Sequence, residues 1–431
     1  MGNFSVIVGV SSRQNTTNLV PFFQLSGKKL LLLETDFAKQ KKWSDGIKRV
    51  IEARGKQCEI ISIGIGNDLA EMETIIVTAL GKALANKPDQ GIWWIFGGGQ
   101  KLQQLALFNH FIYRLERKCG DRACYAEPQE RTIYIIDQKN HDGRKNLANY
   151  KERTKCHLDL NEILSIFGHT SKNGKCLWCR TNPEDREICK KEYLLTSEEE
   201  NWFDDYDKRQ AMFNFMLEKE NWEKDNTMPL PVSETIFPIQ FSPKTHEKSE
   251  LGEYFERLMQ TRITRIIEAT PEQHRINQVW ANVHIYSYDG NTEIAEYDLV
   301  LVTDFGTIIP MDAKSYDFSK KDEDARLHNL DKLSGVYTNF WAVFPYYPED
   351  LNYESILQKD KLWRKLLRIP FLLKERKSKM LSLSGVGVEA FYVSENKKGK
   401  FQITEQPLKS KNRSVKVNTL TTLINTLGLK Q

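Results

Sequence analysis

The sequence predicts an α/β protein with a parallel sheet in its N-terminal part. Short runs of β-branched and aliphatic residues alternate with amphipathic stretches over the first 136 residues, which is typical of strands covered by helices. A proline-rich segment, 228–243, then interrupts the chain, and helix and strand patterns resume beyond it. The 431 residues, 40% hydrophobic and 28% charged, are enough for roughly two or three domains.

Five strands are predicted in the N-terminal part, at 5–10, 29–34, 57–63, 91–96 and 131–136. Amphipathic helices are predicted at 43–54, 69–86 and 101–117. This order is that of a doubly wound, Rossmann-like sheet, in which ligands bind beyond the carboxyl ends of the strands where the strand order reverses. The loops after the first and fourth strands are therefore the expected ligand site.

Both loops have unusual compositions. Residues 11–18 can all form side-chain hydrogen bonds, and three glycines lead from the fourth strand directly into a helix. Main-chain N–H groups at such a helix start bind phosphate. The glycines could instead serve only a tight turn, but the polar loop beside them favours a ligand. The candidate ligand-binding residues are Ser11, Ser12, Gln14, Asn15, Thr16, Asn18, Gly97, Gly98, Gly99, Gln100 and Lys101. Neither an ATPase P-loop nor a complete dinucleotide motif is present.

Residues 137–245 form a connecting region and insertion without a predicted fold. Cys176 and Cys179, with Cys189 and either Cys156 or His169, have an irregular spacing for zinc, and a second CxxC pair is missing. We therefore expect free thiols rather than structural zinc. The acidic stretch 197–225 is expected to form one or two helices, and the prolines that follow it mark a domain boundary.

The segment 246–431 contains the residues best suited to catalysis. A helix predicted from Ser249 has an apolar face and presents Glu253, Glu256 and Gln260 on another. Two strands, 294–302 and 308–314, are joined by a turn that contains Gly306. Because side chains alternate along a strand, the hairpin can bring two carboxylates and an ammonium group together. These groups belong to Asp298, Asp312 and Lys314.

Two carboxylates with open coordination positions suit Mg²⁺ or Mn²⁺. The metal ion can activate water, and a neighbouring lysine can orient that water or accept its proton. Alternatively, the aspartates could be ordinary strand-end residues and Lys314 a surface lysine. The spacing favours a metal-dependent nuclease, and no protease or esterase motif competes with it.

The pattern of a helix glutamate, a strand aspartate and a D-x-K sequence resembles the PD-(D/E)xK nucleases, with Glu256, Asp298, Asp312 and Lys314 in these positions. Glu256 is preferred to Glu253 because it follows an aromatic residue, as in the helix motif of that family. The aspartate at position 312 replaces the more usual glutamate. The stretch 330–337 also matches.

The N-terminal part resembles the CARF sensor domain, because its polar loop precedes Leu19, Thr35 and Asp36 follow the second strand, and a glycine run follows the fourth. Together, residues 1–136 and 245–395 resemble CRISPR ancillary nucleases that join the two domains. This resemblance implies a homodimer that binds a cyclic oligoadenylate, either tetra-adenylate or hexa-adenylate, at a site that includes Thr35 and Asp36. It further implies activated, metal-dependent cleavage of DNA or RNA, with Glu256, Asp298 and Asp312 as metal ligands.

Two alternatives remain at this stage. One is a ligand-sensing, nucleic-acid-binding regulator without activity, and the other is a restriction-type endonuclease with an unrelated sensor. The basic segment 359–431, with 17 lysines and arginines against 5 acidic residues, could face a polyanion. The absence of long apolar runs and the seven cysteines lead us to expect no membrane association and a cytoplasmic location.

Overall fold

The computed structural model describes most of the N-terminal part and the strands around the candidate hairpin. The described residues are 6–85, 90–128, 130, 132–141, 144–153, 156–181, 193–209, 247–269, 275–314, 329–330, 332–333, 339–344, 378–384, 390–395, 401–404 and 413–426. Their strands form two sheets, which we call the N-terminal sheet and the C-terminal sheet. The proline-rich segment and most of the basic segment 359–431 lie outside the described residues.

The N-terminal sheet has the strand order β3-β2-β1-β4-β5-β6-β7. Its strands are β1 (Val6–Val10), β2 (Lys29–Thr35), β3 (Gln57–Ile63), β4 (Trp93–Ile95), β5 (Arg122–Glu127), β6 (Thr132–His141) and β7 (Arg144–Arg153). The first five are parallel, and β6 and β7 extend the sheet antiparallel. The strand order reverses between β1 and β4, which are paired neighbours, so the loops after these two strands meet at one edge.

Helices cover both faces of this sheet. They are α1 (Thr16–Gln24), α2 (Asp36–Gln40), α3 (Trp43–Ala53), α4 (Leu69–Ala83) and α5 (Lys101–Glu116). Strand β2 is apolar on both sides over most of its length, since its four leucines, Leu30 to Leu33, are all buried. Such runs are typical of parallel strands buried between helices.

The C-terminal sheet contains the candidate hairpin near its middle. Its strands are β8 (His169–Lys172), β9 (Lys175–Cys179), β10 (Ile276–Ser287), β11 (Glu293–Thr303), β12 (Ile308–Ala313), β13 (Phe340–Phe344), β14 (Ser378–Ser382), β15 (Ala390–Glu395), β16 (Phe401–Thr404) and β17 (Arg413–Asn418). Strands β10, β11 and β12 are antiparallel neighbours, and β13 then pairs parallel with β12. The sheet is therefore mixed.

Four further helices complete the described elements: α6 (Leu160–Ile166), α7 (Ser197–Trp202), α8 (Glu247–Ala269) and α9 (Leu420–Thr426). Helix α8 packs its apolar face on β10, β11 and β12. Tyr254, Phe255, Leu258, Met259 and Ile263 on this face are fully buried. Because α8 lies across the hairpin, its other residues can reach the hairpin carboxylates.

The predicted mixed α/β fold and the parallel N-terminal sheet are confirmed. The first four predicted strands match β1 to β4 within two residues at each end. The fifth parallel strand was missed, because Arg122–Glu127 contains no β-branched residue. The strand predicted at 131–136 is the start of β6, which runs antiparallel.

The region predicted as an insertion contributes to both sheets. Residues 137–153 continue the N-terminal sheet through β6 and β7, whereas β8 and β9 pair with β10 in the C-terminal sheet. Among the described residues, no helix is long and apolar enough to cross a membrane.

Candidate functional site

The loops after β1 and β4 meet as the sequence predicted. Ile7 and Val8 pair with Trp93 and Trp94 across the two strands. The Thr17 hydroxyl donates a hydrogen bond to the Gly97 carbonyl oxygen at 3.0 Å. The two loops therefore form one continuous rim at the edge of the sheet, where ligands of such folds bind.

Several predicted ligand-binding side chains of the first loop are buried. Asn15 is 1% exposed and Asn18 is fully buried. The Asn18 amide donates to the Val10 carbonyl at 2.9 Å and to Asn15 Oδ1 at 3.1 Å. Thr16 is also fully buried because it begins helix α1, which extends into the predicted loop. These side chains hold the loop in shape.

Other predicted residues also have structural partners. Ser44 Oγ donates a hydrogen bond to Ser11 Oγ at 2.8 Å. Thr35 Oγ1 accepts one from the Ala38 amide at 3.2 Å, which caps helix α2. Ser12 and Gln14 are partly exposed, and Asp36, Gln100 and Lys101 are exposed. A ligand at this rim would meet the exposed side chains first.

The glycine run packs closely against β1. A Cβ atom on Gly98 would lie 2.2 Å from the Val10 carbonyl oxygen, and one on Gly97 would lie 2.9 Å from Thr17 Cβ. Gly99 has a φ of +83°, which favours glycine. The run is therefore required by the packing of the β4 loop on β1, whether or not a phosphate also approaches it.

The hairpin brings Asp298, Asp312 and Lys314 together. The antiparallel register pairs Leu299 with Met311, so Asp298 and Asp312 lie opposite each other as the next pair along the two strands. Asp298 Oδ2 accepts a hydrogen bond of 2.7 Å from the Ala313 amide. Lys314 Nζ lies 3.5 Å from Asp312 Oδ2, and Asp312 is only 1% exposed.

Glu256 reaches this group from helix α8 through Gln260. Gln260 Nε2 lies 3.0 Å from Glu256 Oε1, 3.0 Å from the Asp298 carbonyl oxygen and 2.8 Å from Asn282 Oδ1. Asn282 has a φ of +51°, a conformation that asparagine tolerates better than most residues. Gln260 and Asn282 thus hold the helix against β10 and β11. The sequence predicts Gln260 on the same helix face as Glu256, but the contact between Gln260 and Asn282 has no signal in the sequence.

The pKa of Glu256 is raised well above the usual value for a glutamate. Burial is the largest cause, and the negative charge of Asp298 adds to it, while the hydrogen bond from Gln260 opposes the shift. Glu296 and Glu253 contribute smaller repulsions. Two carboxyl groups that repel each other in a buried site would both be stabilised by a cation between them.

The donor atoms fit a divalent cation. Asp298, Asp312 and Glu256 offer carboxylate oxygens, which Mg²⁺ and Mn²⁺ prefer, and the repulsion at Glu256 would be relieved by such an ion. The three carboxylates are nevertheless not gathered into one tight cluster. In the part of the chain that the structure describes, the one group of three candidate ligands within 4.8 Å of one another is His284, Glu293 and Glu296.

That second group lies on the neighbouring surface. His284 Nδ1 is 3.0 Å from Glu293 Oε1, and His284 Nε2 is 3.7 Å from Glu296 Oε1. Both carboxylates are exposed. The partners of His284 are thus two exposed surface glutamates.

The described cysteines are free thiols. Cys176 Sγ lies 3.4 Å from the Trp178 carbonyl oxygen, and Cys179 Sγ lies 3.3 Å from Thr181 Oγ1. Burial raises the pKa of Cys156 to about 12, so this thiol is a poor metal ligand in its present surroundings. Cys189 lies outside the described residues.

We expect Glu256→Gln to stabilise the metal-free protein at neutral pH. Because the pKa of Glu256 is raised in the folded state, the native chain holds this proton at pH values where the unfolded chain has lost it. The wild type therefore loses stability as pH rises from the usual glutamate pKa towards the raised value. The variant does not lose this stability, because glutamine does not titrate. Its melting temperature should therefore exceed that of the wild type by a few degrees at pH 7 and match it at pH 3.

The comparison should be repeated with Mn²⁺ and with Glu253→Gln, the same change one turn earlier on α8. Mn²⁺ should reduce the difference in melting temperature between the wild type and Glu256→Gln, because the cation offsets the repulsion between Glu256 and Asp298. If the melting temperatures of Glu256→Gln and the wild type differ by the same amount at pH 3 and pH 7, the pKa of Glu256 is not raised.

Comparison with protein-family models returned no match, and comparison with curated protein sequences returned none either. The fold, by contrast, is similar to solved structures. Protein VC1899 from Vibrio cholerae superposes with a TM-score of 0.53 and 13% identity, covering 80% of this chain and 90% of that protein. Can2 from Sulfobacillus thermosulfidooxidans, solved in complex with cyclic tetra-adenylate, gives 0.52 and 16%, covering 80% and 88%.

A third structure is a type III CRISPR defence DNA nuclease activated by cyclic oligoadenylate. It gives a TM-score of 0.50 at 12% identity, and the alignment covers 90% of this chain but 49% of the nuclease. This chain therefore spans about half the length of that protein. At such low identities, the similarity to all three structures establishes the fold.

Proposed function

We propose that this protein is a metal-dependent nuclease of type III CRISPR defence, activated by a cyclic oligoadenylate. The observation that carries the proposal is the hairpin of β11 and β12, on which the Asp312–Lys314 ion pair lies beside Asp298. The same chain has a Rossmann-like sheet with a polar loop and a glycine run at its switch point. The chain would thereby combine a sensor with a hydrolytic site, as in the DNA nuclease activated by cyclic oligoadenylate.

On the nuclease side, each residue has a chemical task. Asp298 and Asp312, with Glu256 from α8, would hold Mg²⁺ or Mn²⁺, which acts as a Lewis acid and lowers the pKa of bound water. Lys314 is placed by its ion pair to orient the attacking water or to offset charge on the phosphodiester. Gln260 is a positioning residue, because it joins Glu256 to the main chain at Asp298.

On the sensor side, the rim formed by the loops after β1 and β4 would bind the cyclic tetra-adenylate or hexa-adenylate, with Lys101 as a cationic contact. Two copies of the chain would form the pocket, since a two-fold axis matches a symmetric ring. The hairpin turn packs close to this rim. A Cβ atom on Gly306 would lie 3.6 Å from Val20 and 3.7 Å from Thr16 of α1, so movement of α1 can reach the hairpin.

One observation favours the alternative of an inactive, ligand-sensing regulator. Among the described residues, the three candidate carboxylates do not lie within 4.8 Å of one another as a set. A nuclease in its resting state would have the same feature, if the activator brings Glu256 and the hairpin together. Activator-dependent cleavage separates these two functions, and it also separates the proposal from a restriction-type endonuclease.

We predict Mn²⁺-dependent cleavage that rises at least tenfold with the activator, corresponding to a coupling free energy of about 1.4 kcal/mol or more. The protein should be incubated with plasmid DNA, single-stranded DNA or RNA, with and without cyclic tri-, tetra- or hexa-adenylate. EDTA should abolish cleavage. Equal cleavage with and without every ring would support the restriction-type alternative, and binding without cleavage would support the regulator.

A further inference from the structure

A cavity of about 560 Å³ lies between the loop after β1 and residues of the C-terminal sheet and its connections. One wall is formed by the loop after β1 and by the start of α3, including Ser12, Arg13 and Trp43. The opposite wall comes from the C-terminal sheet and its connections, including His169, Tyr288 and Lys332. Its volume is within the range typical of small-ligand sites.

The lining of this cavity is strongly basic. Arg13, Lys41, Lys42, Arg49 and Lys332 line it, and Asp45 is the one carboxylate among the described lining residues. Arg49 already joins the two walls, because its guanidinium group lies 4.0 Å from the centre of the Tyr288 ring and donates to the Ser165 carbonyl oxygen at 3.0 Å. Cations brought together in a concave site attract an anion of matching size.

Both walls also carry a buried polar atom that has no hydrogen-bond partner among the described residues. These atoms are Ser12 Oγ and His169 Nδ1, and His169 is 9% exposed. Burial lowers the pKa of His169, and the nearby positive charge of Lys332 also lowers it, although a hydrogen bond to the Lys332 main chain opposes the shift. A buried polar group without a partner is costly, so a polar ligand in the cavity would offer a missing partner.

Aromatic side chains complete the lining. Trp43 and Tyr288 both border the cavity, and Tyr288 is 54% exposed. Aromatic rings beside cationic groups are the combination that binds nucleotides, because the base stacks on a ring while the phosphate pairs with the cations. Inorganic phosphate alone would leave the aromatic rings without a role.

We propose that this cavity binds an adenylate unit of the oligoadenylate activator and thereby links the sensor rim to the nuclease hairpin. The inference rests on the proposed function for the identity of the ligand. The anion is held from both sides, by Arg13 and Lys41 on the sensor wall and by Lys332 on the nuclease wall. A ligand that contacts both walls stabilises the arrangement in which they are close, which is the requirement for activation.

The segment that carries Lys332 is connected to the strand of Asp298. The Asn329 amide donates a hydrogen bond of 2.7 Å to the Ile294 carbonyl oxygen in β11. Leu330 and Leu333, on either side of Lys332, are fully buried. A shift of Lys332 towards the ligand therefore moves a packed segment that is tied to β11 four residues before Asp298.

Lys332→Ala should weaken binding of cyclic tetra-adenylate by about tenfold, as expected for the loss of a charged hydrogen bond. Lys41→Ala should have a similar effect from the other wall. Lys175→Ala, which removes an exposed lysine of β9 that does not line the cavity, is the matched control. Affinity should be measured by calorimetric titration of the full chain with cyclic tetra-adenylate, with the linear dinucleotide pApA and with adenosine.

Asn329→Ala should leave the affinity for cyclic tetra-adenylate unchanged while reducing the activation of cleavage severalfold, because it removes the tie to β11. Wild-type affinity in both Lys332→Ala and Lys41→Ala would overturn the inference and leave the proposed function intact. Lysine-dependent binding without any cleavage would remove the nuclease function and leave the cavity as a nucleotide site. A wild-type protein that binds neither cyclic tetra-adenylate nor pApA would contradict the inference directly.

Discussion

Asp312→Asn is expected to abolish nucleic-acid cleavage, a loss on the order of a thousandfold or more. Asp312 is buried and paired with Lys314 at 3.5 Å, so its carboxylate is the most desolvated of the candidate metal ligands. Asparagine has the same shape but no charge, and it would bind Mn²⁺ far more weakly. Because the side chain keeps its volume, the fold should be retained.

Lys314→Ala is expected to reduce cleavage to a similar extent while leaving metal binding largely intact. Asp289→Asn makes the same chemical change in the exposed turn between β10 and β11 and should cleave like the wild type. Activator binding by Asp312→Asn should also be unchanged, since Asp312 lies neither at the sensor rim nor among the residues that line the basic cavity. Turnover at the wild-type rate in Asp312→Asn would remove this residue from the active site.

Gly98→Asp is expected to destabilise the N-terminal sheet by about 3 kcal/mol, the upper part of the usual range for overpacking. The new Cβ atom would lie 2.2 Å from the Val10 carbonyl oxygen, so β1 and the β4 loop would have to separate. Activator binding would be lost as a consequence. The effect should be measured as a lower urea midpoint of unfolding, alongside a titration with cyclic tetra-adenylate.

Gly64→Asp is the matched control, because a Cβ atom there meets only Ile75 Cδ1, at 3.8 Å. It should unfold at nearly the wild-type urea concentration. A Gly98→Asp protein with wild-type stability would show that the loop can relax at little cost. Lys101→Ala is the better test of ligand contact at the rim, since Lys101 is exposed and its loss should weaken binding without affecting the fold.

Residue patterns predicted the fold well at positions where burial limits which side chains can occur. The run of leucines in β2 and the apolar face of α8 are both buried as expected, because the interior accepts few other side chains. The same reasoning missed β5, whose residues lack a strand-like composition although their neighbours β4 and β6 hold them in the sheet. Strand propensity depends on such tertiary context.

Polarity was a poorer guide to the candidate sites. Asn15 and Asn18 are polar and lie at the switch point, and their part in ligand binding stays a prediction. Both are buried, and their amides bond to each other and to the Val10 and Trp43 carbonyl oxygens. The sequence offers no means of separating a polar residue that shapes a loop from one that faces a ligand. Spacing along strands was more informative, since Asp312 and Lys314, which were predicted to share a face, form an ion pair at the end of β12.

The basic cavity could not have been predicted from the sequence. Its lysines and arginines come from segments separated by up to about 320 residues, and each is unremarkable in its own segment. Only the packing of the C-terminal sheet against α3 and the loop after β1 brings them together. Gln260 was visible as a neighbour of Glu256 on one helix face, but its contact with Asn282 required the register of β10.

Activator-dependent cleavage at Asp312 is best tested in a single assay that compares the wild type with Asp312→Asn. Both proteins are incubated with Mn²⁺ and nucleic acid, in the presence and absence of cyclic tetra-adenylate. Both proteins should first be shown to bind the activator equally. Rapid cleavage is expected only from the wild type with activator present. Cleavage by Asp312→Asn, or cleavage by the wild type that is indifferent to every cyclic oligoadenylate, would contradict it.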